Sequence, residues 1–263
     1  MKALFSTLLL GLAVLPASAA TVTFGFESRD FTPVSSGSGY TTTNLSEAGD
    51  LATNAVFGGF TGTLAPTATT IVRAYRPTNM ANSETPDINT HVSYLTFTIT
   101  PDAGQMLDLS TATLSFNLGS FTGFSANQDM KAFARAGYSV NGGTYTALGS
   151  VVSAIAPPYA DAADNWTGQS SFNSTANKFK IVQTSSGALS LSGITGLAAG
   201  DSVTFRIALG DTSSSNASLT GTSQIKGIYV DQISVDGFSV IPEPSAMALV
   251  AMGGLAFSLR RRR

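Results

Sequence analysis

The feature that most constrains this fold is a strict alternation of apolar and polar residues in short runs separated by turn-forming residues. Leu95, Phe97 and Ile99 alternate with threonines, and residues 203–209 alternate in the same way. A period of two places every apolar side chain on one face of a β-strand. Between the two ends of the chain, no stretch has convincing helical periodicity. The sequence therefore predicts an all-β protein made of antiparallel strands, each half buried and half solvated.

The last strand region carries an irregularity in this alternation. Ile228 and Val230 have one parity, whereas Ile233 and Val235 have the other. A β-bulge near residues 231–232 would return both pairs to the same face.

Residues 20–240 are long enough to form a single domain with a sizeable core. Many short strands, turn-rich connections and the lack of a fixed-period repeat favour an antiparallel β-sandwich, and a jelly roll in particular. Asn-Gly-Gly at residues 141–143 predicts a tight hairpin, because these residues tolerate positive φ. The sequence has no cysteine, which excludes disulfides, cysteine nucleophiles and thiolate metal sites.

The charge balance of this central part is acidic. Without Lys2, Glu243 and the four terminal arginines, nine basic and 15 acidic residues remain, a formal net charge of -6. That charge argues against nucleic acid or an anionic membrane surface as a partner.

The first residues have the organisation of a secretory signal peptide. Lys2 supplies a positive start, residues 3–15 are apolar, and Ala17-Ser18-Ala19 is a small-residue cleavage site. We expect residues 1–19 to be removed, with cleavage after Ala19 or Ala20.

The last residues form a kink, an apolar run and a basic end. Pro242 and Pro244 flank Glu243 and are expected to stop any continuing strand, so the folded domain should end at residue 240. As a helix, residues 245–259 would be about 22 Å long, which is short against a hydrocarbon core of roughly 30 Å. The basic end would keep the C-terminus in the cytoplasm. It consists of Arg260, Arg261, Arg262 and Arg263.

This tripartite end resembles the PEP-CTERM sorting signal of bacterial exported proteins. Pro242-Glu243-Pro244 matches the signature, residues 246–259 match the helix, and residues 260–263 match the basic cluster. The resemblance implies recognition and cleavage by an exosortase, so that the secretion machinery and, transiently, the inner membrane are partners. It also implies a cell-surface or extracellular destination in bacteria that make exopolysaccharide.

Residues 94–101, 109–116, 203–207 and 230–233 resemble the ectodomain common among PEP-CTERM proteins, which is similar to carbohydrate-binding-module jelly rolls. Such modules often join their first and last strands through Ca²⁺, a cation that prefers carboxylate and carbonyl oxygens. Glu27 and Asp231 are the candidate ligands here; the alternative is two unrelated solvent-facing carboxylates. No other cofactor is indicated.

One loop combines aromatic and polar residues in the way that sugar-binding sites do. It contains Tyr159, Asp161, Asp164, Asn165 and the only tryptophan, Trp166. An aromatic ring can stack on a sugar while the polar groups bind its hydroxyls; the alternative is that Trp166 only packs in the core.

Catalytic signals are few. His91 is the only histidine, which excludes a histidine-rich metal site, and no Gly-x-Ser-x-Gly elbow accompanies it. The sequence therefore predicts a noncatalytic surface or matrix protein. A carbohydrate-binding module is the alternative, and a glycan-active hydrolase using Asp161 and Asp164 is the third class.

Overall fold

The computed structural model of the chain describes residues 18–25, 32–48, 83–123, 129–156, 171–173, 178–212 and 226–243. Within these ranges all regular structure is β-strand, which confirms the all-β prediction. The strands are β1 (Ser18–Phe24), β2 (Val34–Ser36), β3 (Tyr40–Thr42), β4 (Ser46–Ala48), β5 (Tyr94–Pro101), β6 (Gln105–Asp108), β7 (Thr113–Gly123), β8 (Met130–Val140), β9 (Thr146–Ala156), β10 (Ser171–Asn173), β11 (Lys178–Ser185), β12 (Leu189–Ser190), β13 (Val203–Asp211) and β14 (Lys226–Pro242).

The strands form two antiparallel sheets. The first sheet has the order β10-β11-β7-β14-β1-β2, with β12 paired to β7 and β6 paired to β14. The second has the order β3-β5-β13-β8-β9, with β4 paired to β5. The chain passes repeatedly between the sheets, because β7 is followed by β8 and β13 is followed by β14.

The inner faces of the two sheets share one hydrophobic core. Alternate residues of β1, β7 and β14 contribute to it from the first sheet, and those of β5, β8 and β13 from the second. The Phe24 ring lies 4.8 Å from the Phe97 ring, which in turn lies 5.1 Å from that of Phe205. Because full burial of such a side chain contributes about 1.5–3 kcal/mol, the Phe24–Phe97 contact stabilises the packing of one sheet on the other.

β14 is the longest strand, and two irregularities keep its apolar residues facing the core. Its ladder with β7 shifts between Asp231 and Ser234, where Gln232 has a φ of 51°. The apolar residues on both sides of the shift are buried: Ile228, Val230, Ile233 and Val235. This confirms the predicted bulge. A second shift, in the ladder with β1, lies beside Gly237 at a φ of 78° and was not predicted.

Residues 83–93 form a cover segment on the outer face of the second sheet. Ile88 is buried so closely over β8 that a Cβ atom on Gly137 would lie 2.5 Å from its Cγ1. Asp87 Oδ1 accepts the N–H groups of Asn89 and Thr90, and these hydrogen bonds hold the pKa of Asp87 below its usual range. The cover segment therefore has its own internal turn as well as an apolar anchor.

Arg206 ties the cover segment to the sheet. Its guanidinium carbon lies 3.9 Å from the ring centroids of both Tyr94 and Tyr145, and Nη1 donates to the Ile88 carbonyl at 2.9 Å. A planar cation between two rings combines cation–π attraction with a directed hydrogen bond.

The start of β1 and the end of β14 lie side by side at one end of the molecule. In the β1–β14 ladder, Ser18 lies opposite Val240 and Phe24 lies opposite Ile233. We call the end that holds Ser18 and Pro242 the motif end. Because β14 has 17 residues at about 3.3 Å each, Lys226 lies roughly 50 Å away, at the far end.

The last strand continues through Pro242, whereas the sequence led us to expect the domain to end at residue 240. At this position the ladder with β1 has already ended, and Pro242 pairs only with Gln105 among the described residues. Proline, which has no backbone N–H, is tolerated there because a strand that pairs on one side only does not need every backbone N–H as a donor.

Candidate functional site

The candidate site is the junction where the folded domain passes into the Pro-Glu-Pro segment. The end of β14 pairs antiparallel with β6, with Val240 opposite Leu107 and Ile241 opposite Met106. Beyond the strand, the Glu243 N–H donates to the Gly104 carbonyl at 3.0 Å. The first two residues of the segment are therefore part of the sheet and its adjoining turn.

The side chain of Glu243 is also bound to the domain. Its Oε1 accepts the backbone N–H of Ala199 at 2.8 Å, and the residue is half-buried. Ala199 belongs to the turn at residues 198–201, which precedes β13. A carboxylate that accepts a backbone N–H forms a charge-assisted hydrogen bond, stronger than a bond between neutral groups. This contact joins the end of the first sheet to the start of a strand in the second.

Asp201 shapes the turn that presents the Ala199 N–H. Its Oδ2 accepts the Ala198 N–H at 2.9 Å, and its own N–H donates to the Ala198 carbonyl at 2.9 Å. Its Oδ1 accepts the side-chain amide of Asn141 at 2.8 Å. Asn141 has a φ of 52° and lies in the predicted hairpin turn, whose existence the structure confirms. The hydrogen bond between Asn141 and Asp201 therefore joins the hairpin turn to the turn that binds Glu243.

A third turn packs against the end of β14. A Cβ atom on Gly39 would lie 2.7 Å from Val240 Cγ1 and 3.2 Å from Gln105 Cγ. At a φ of 92° the residue has a backbone conformation that favours glycine. The neighbouring Tyr40 ring lies 4.9 Å from that of Phe238, and burial raises the pKa of Tyr40. The strand end is therefore enclosed as well as hydrogen bonded.

The predicted sorting residues lie partly inside the described structure. Pro242 and Glu243 are placed as above, whereas Pro244, residues 246–259 and the arginines at 260–263 lie outside the described residues. Among the residues that the structure describes, no helix is long and apolar enough to cross a membrane.

The predicted calcium and sugar residues are not brought together by the described structure. Glu27, Tyr159, Asp164 and Trp166 lie outside it, and only the backbone of Asp231 is described. In the described ranges, no group of three or more His, Asp or Glu side chains could hold a metal ion. The β1–β14 pairing does make the first and last strands neighbours, as the calcium hypothesis requires.

His91 has a structural contact. Its Nε2 lies 2.6 Å from the Leu209 carbonyl oxygen, to which it donates, and its backbone N–H donates to Asp87. The first contact fixes the end of the cover segment on β13, and the second closes a turn within the segment.

Sequence reasoning missed the residues that hold Glu243. Asn141 was recognised as a turn residue, but not as a partner of Asp201. The donor to Glu243 is the backbone N–H of Ala199, and a backbone group carries no sequence signature. It also missed Asp211, whose carboxyl group is buried and whose pKa burial raises to about 6.

Comparison with protein families identifies the end of the chain. Residues 240–263 match the PEP-CTERM protein-sorting motif, which confirms the resemblance seen in the sequence. The motif marks the chain for export and for sorting through an exosortase, to the cell surface or the extracellular space. No curated protein matches the chain.

Two solved structures show weak similarity to the chain. One is the enzymatically active domain of tailspike protein 4 of bacteriophage CBA120, with 14% identity and a TM-score of 0.19 over 78% of this chain and 20% of that chain. This chain thus spans a fifth of that tailspike chain. Another is infectious bursal disease virus, Gx strain, with 12% identity and a TM-score of 0.11 over 92% of this chain and 64% of that chain. Similarities this low bear on neither fold nor function.

Proposed function

We propose that this chain, which carries a PEP-CTERM sorting motif, is a noncatalytic surface or extracellular-matrix protein associated with exopolysaccharide. The observation that carries the proposal is the sorting motif at residues 240–263, joined directly to a β domain whose last strand ends at Pro242. The domain is exported and acidic, and its sequence contains no recognisable set of catalytic residues. These properties suit a structural role outside the cell.

The proposed processing removes both ends. The signal peptide, residues 1–19, is cleaved after Ala19, which leaves Ala20 in place; its side chain is 1% exposed and belongs to the core. The helix at residues 246–259 is a temporary inner-membrane anchor held by the four arginines. Because β1 begins and β14 ends at the motif end, that end faces the membrane and the far end faces away.

The mature protein's mass and location test this proposal. Protein recovered from the cell surface or medium is expected to begin at Ala20 and to lack Arg263, whereas the Pro244→Ala variant keeps its tail. Wild-type protein recovered with Arg263 intact would contradict exosortase processing.

A carbohydrate-binding module of jelly-roll type is the second candidate. The strands on either side of residues 157–170 reach the far end, since Ala156 lies opposite Met130 and Ser171 lies opposite Lys180. A ligand bound by that loop would therefore face away from the membrane.

Polysaccharide pull-down separates the two candidates. Retention of the wild type and the Trp166→Phe variant, with loss of retention in Trp166→Ala, is the result expected of a binding module that stacks a ring on the sugar. Equal retention of all three variants would remove this site. Release of reducing sugar by the wild type would instead indicate a hydrolase and contradict a noncatalytic role.

We also propose that Ca²⁺ binds between β1 and β14. β1 ends at Phe24 opposite Ile233, two positions from Asp231 at the bulge, where a ligand can be redirected. Glu27 and Asp231 would supply carboxylate oxygens, and Ca²⁺ needs several more. CaCl2 is expected to raise the Tm of the wild type but not of Asp231→Ala; an unchanged wild-type Tm would refute it.

A further inference from the structure

The sorting motif begins inside the fold. Residues 241 and 242 pair with β6, the Glu243 N–H is bonded to Gly104, and the Glu243 carboxylate is bonded to Ala199. An enzyme that binds this segment in an extended form needs the same backbone groups and the same carboxylate. Both sets of contacts cannot be made at once, because each N–H has one hydrogen to donate.

We propose that the end of β14 is a latch: residues 241–243 alternate between a state docked on β6 and the 198–201 turn and a released state that alone binds the exosortase. This inference rests on the proposed sorting function and adds a regulatory step to it. Asp201 is a positioning residue for the docked state, because it shapes the turn that binds Glu243.

The latch comprises only residues 241–243, at the end of the last strand, so the docked state can open without unfolding the domain. At residues 234–236 the strand pairs with both β1 and β7, whereas Ile241 and Pro242 pair with β6 alone among the described residues. Loss of one hydrogen bond is expected to change the ratio of docked to released chains roughly fivefold.

A disulfide lock tests the latch. Met106 and Ile241 are opposite each other, and both are half-buried on the face away from the core, since their neighbours Leu107 and Val240 are buried. Opposite residues of antiparallel strands have Cα atoms about 4.5–5.5 Å apart, which suits a disulfide. The chain contains no cysteine, so a Met106→Cys/Ile241→Cys variant can form no other bridge within one molecule.

The matched control is Ser115→Cys/Ser234→Cys, an opposite pair that locks β14 to β7 upstream of the latch. The full-length chains are produced in a host that removes the tail from the wild type, and tail removal is followed by mass spectrometry. With its disulfide formed, the Met106/Ile241 variant is expected to keep its tail, and dithiothreitol is expected to restore processing. The control pair and each single-cysteine variant should be processed at the wild-type rate.

Processing of the locked variant at the wild-type rate would overturn the inference while leaving the sorting function intact. A wild-type chain that keeps its tail would instead refute the sorting function. Hydrogen exchange tests docking without the exosortase. The amides of Glu243 and Ala199 should be protected in the full chain and lose that protection in Asp201→Ala but not in Asp102→Ala. Unprotected amides in the wild type would also overturn the latch.

Discussion

The buried carboxyl group of Asp211 is expected to make the stability of the domain depend on pH. Asp211 is the last residue of β13, lies opposite Ala132 and is 8% exposed. By alternation with Leu209 its side chain is on the core side of the strand. Burial raises its pKa from 3.8 to about 6.

The raised pKa of Asp211 sets the direction and the size of the pH dependence of stability. Because the folded state holds the Asp211 proton more tightly than the unfolded state, it binds more protons between about pH 4 and pH 6. The free energy of unfolding therefore falls as pH rises through this window and stays lower above it. A difference of about two pKa units corresponds to about 3 kcal/mol, which is the largest loss expected from this group.

The Asp211→Asn variant has nearly the same volume and does not titrate. We compare the free energies of unfolding of the variant and the wild type, measured with urea and circular dichroism at constant ionic strength. The variant's advantage over the wild type should grow by about 2–3 kcal/mol from pH 4 to pH 7.5. Asp236→Asn, which removes an exposed carboxylate from β14, controls for the change in net charge. Parallel stability curves for the wild type and Asp211→Asn across this range would refute the reasoning.

Substitutions at three further positions test the packing of the second sheet and of β14, each by urea unfolding. Gly137→Ala should destabilise the domain by about 1–3 kcal/mol, because its Cβ would lie 2.5 Å from Ile88 Cγ1 and 2.7 Å from the Thr146 carbonyl oxygen; an unchanged midpoint would argue against this close packing. Arg206→Lys should cost about 1–3 kcal/mol, since an ammonium cannot stack on both tyrosine rings and also replace the planar donor; a neutral result would show that the stack contributes little. At the bulge, Gln232→Val should be less stable than Gln232→Gly by at least about 1 kcal/mol, because a β-branched residue is strained at a φ of 51°; the reverse order would contradict the observed backbone.

Some features of this protein follow from the sequence because they are local. The alternation of residues 95–99 and 203–209 gives β5 and β13, and the parity change around residue 232 gives the bulge. The Asn-Gly pair at 141–142 gives the hairpin. The extent of the strand after this hairpin, Thr146–Ala156, is not evident from the sequence. Its exposed outer face and small inward alanines give a weak alternation.

The class of the fold and the sorting address carried by residues 240–263 can therefore be recognised from the amino acids alone. The folded chain is needed to see that β14 continues to Pro242, that Glu243 accepts the Ala199 N–H, and that the Asp211 carboxyl is buried. These features depend on partners far away along the chain. Strand pairing and docking use backbone N–H and C=O groups, and every residue except proline has both. No residue type therefore indicates where these contacts form.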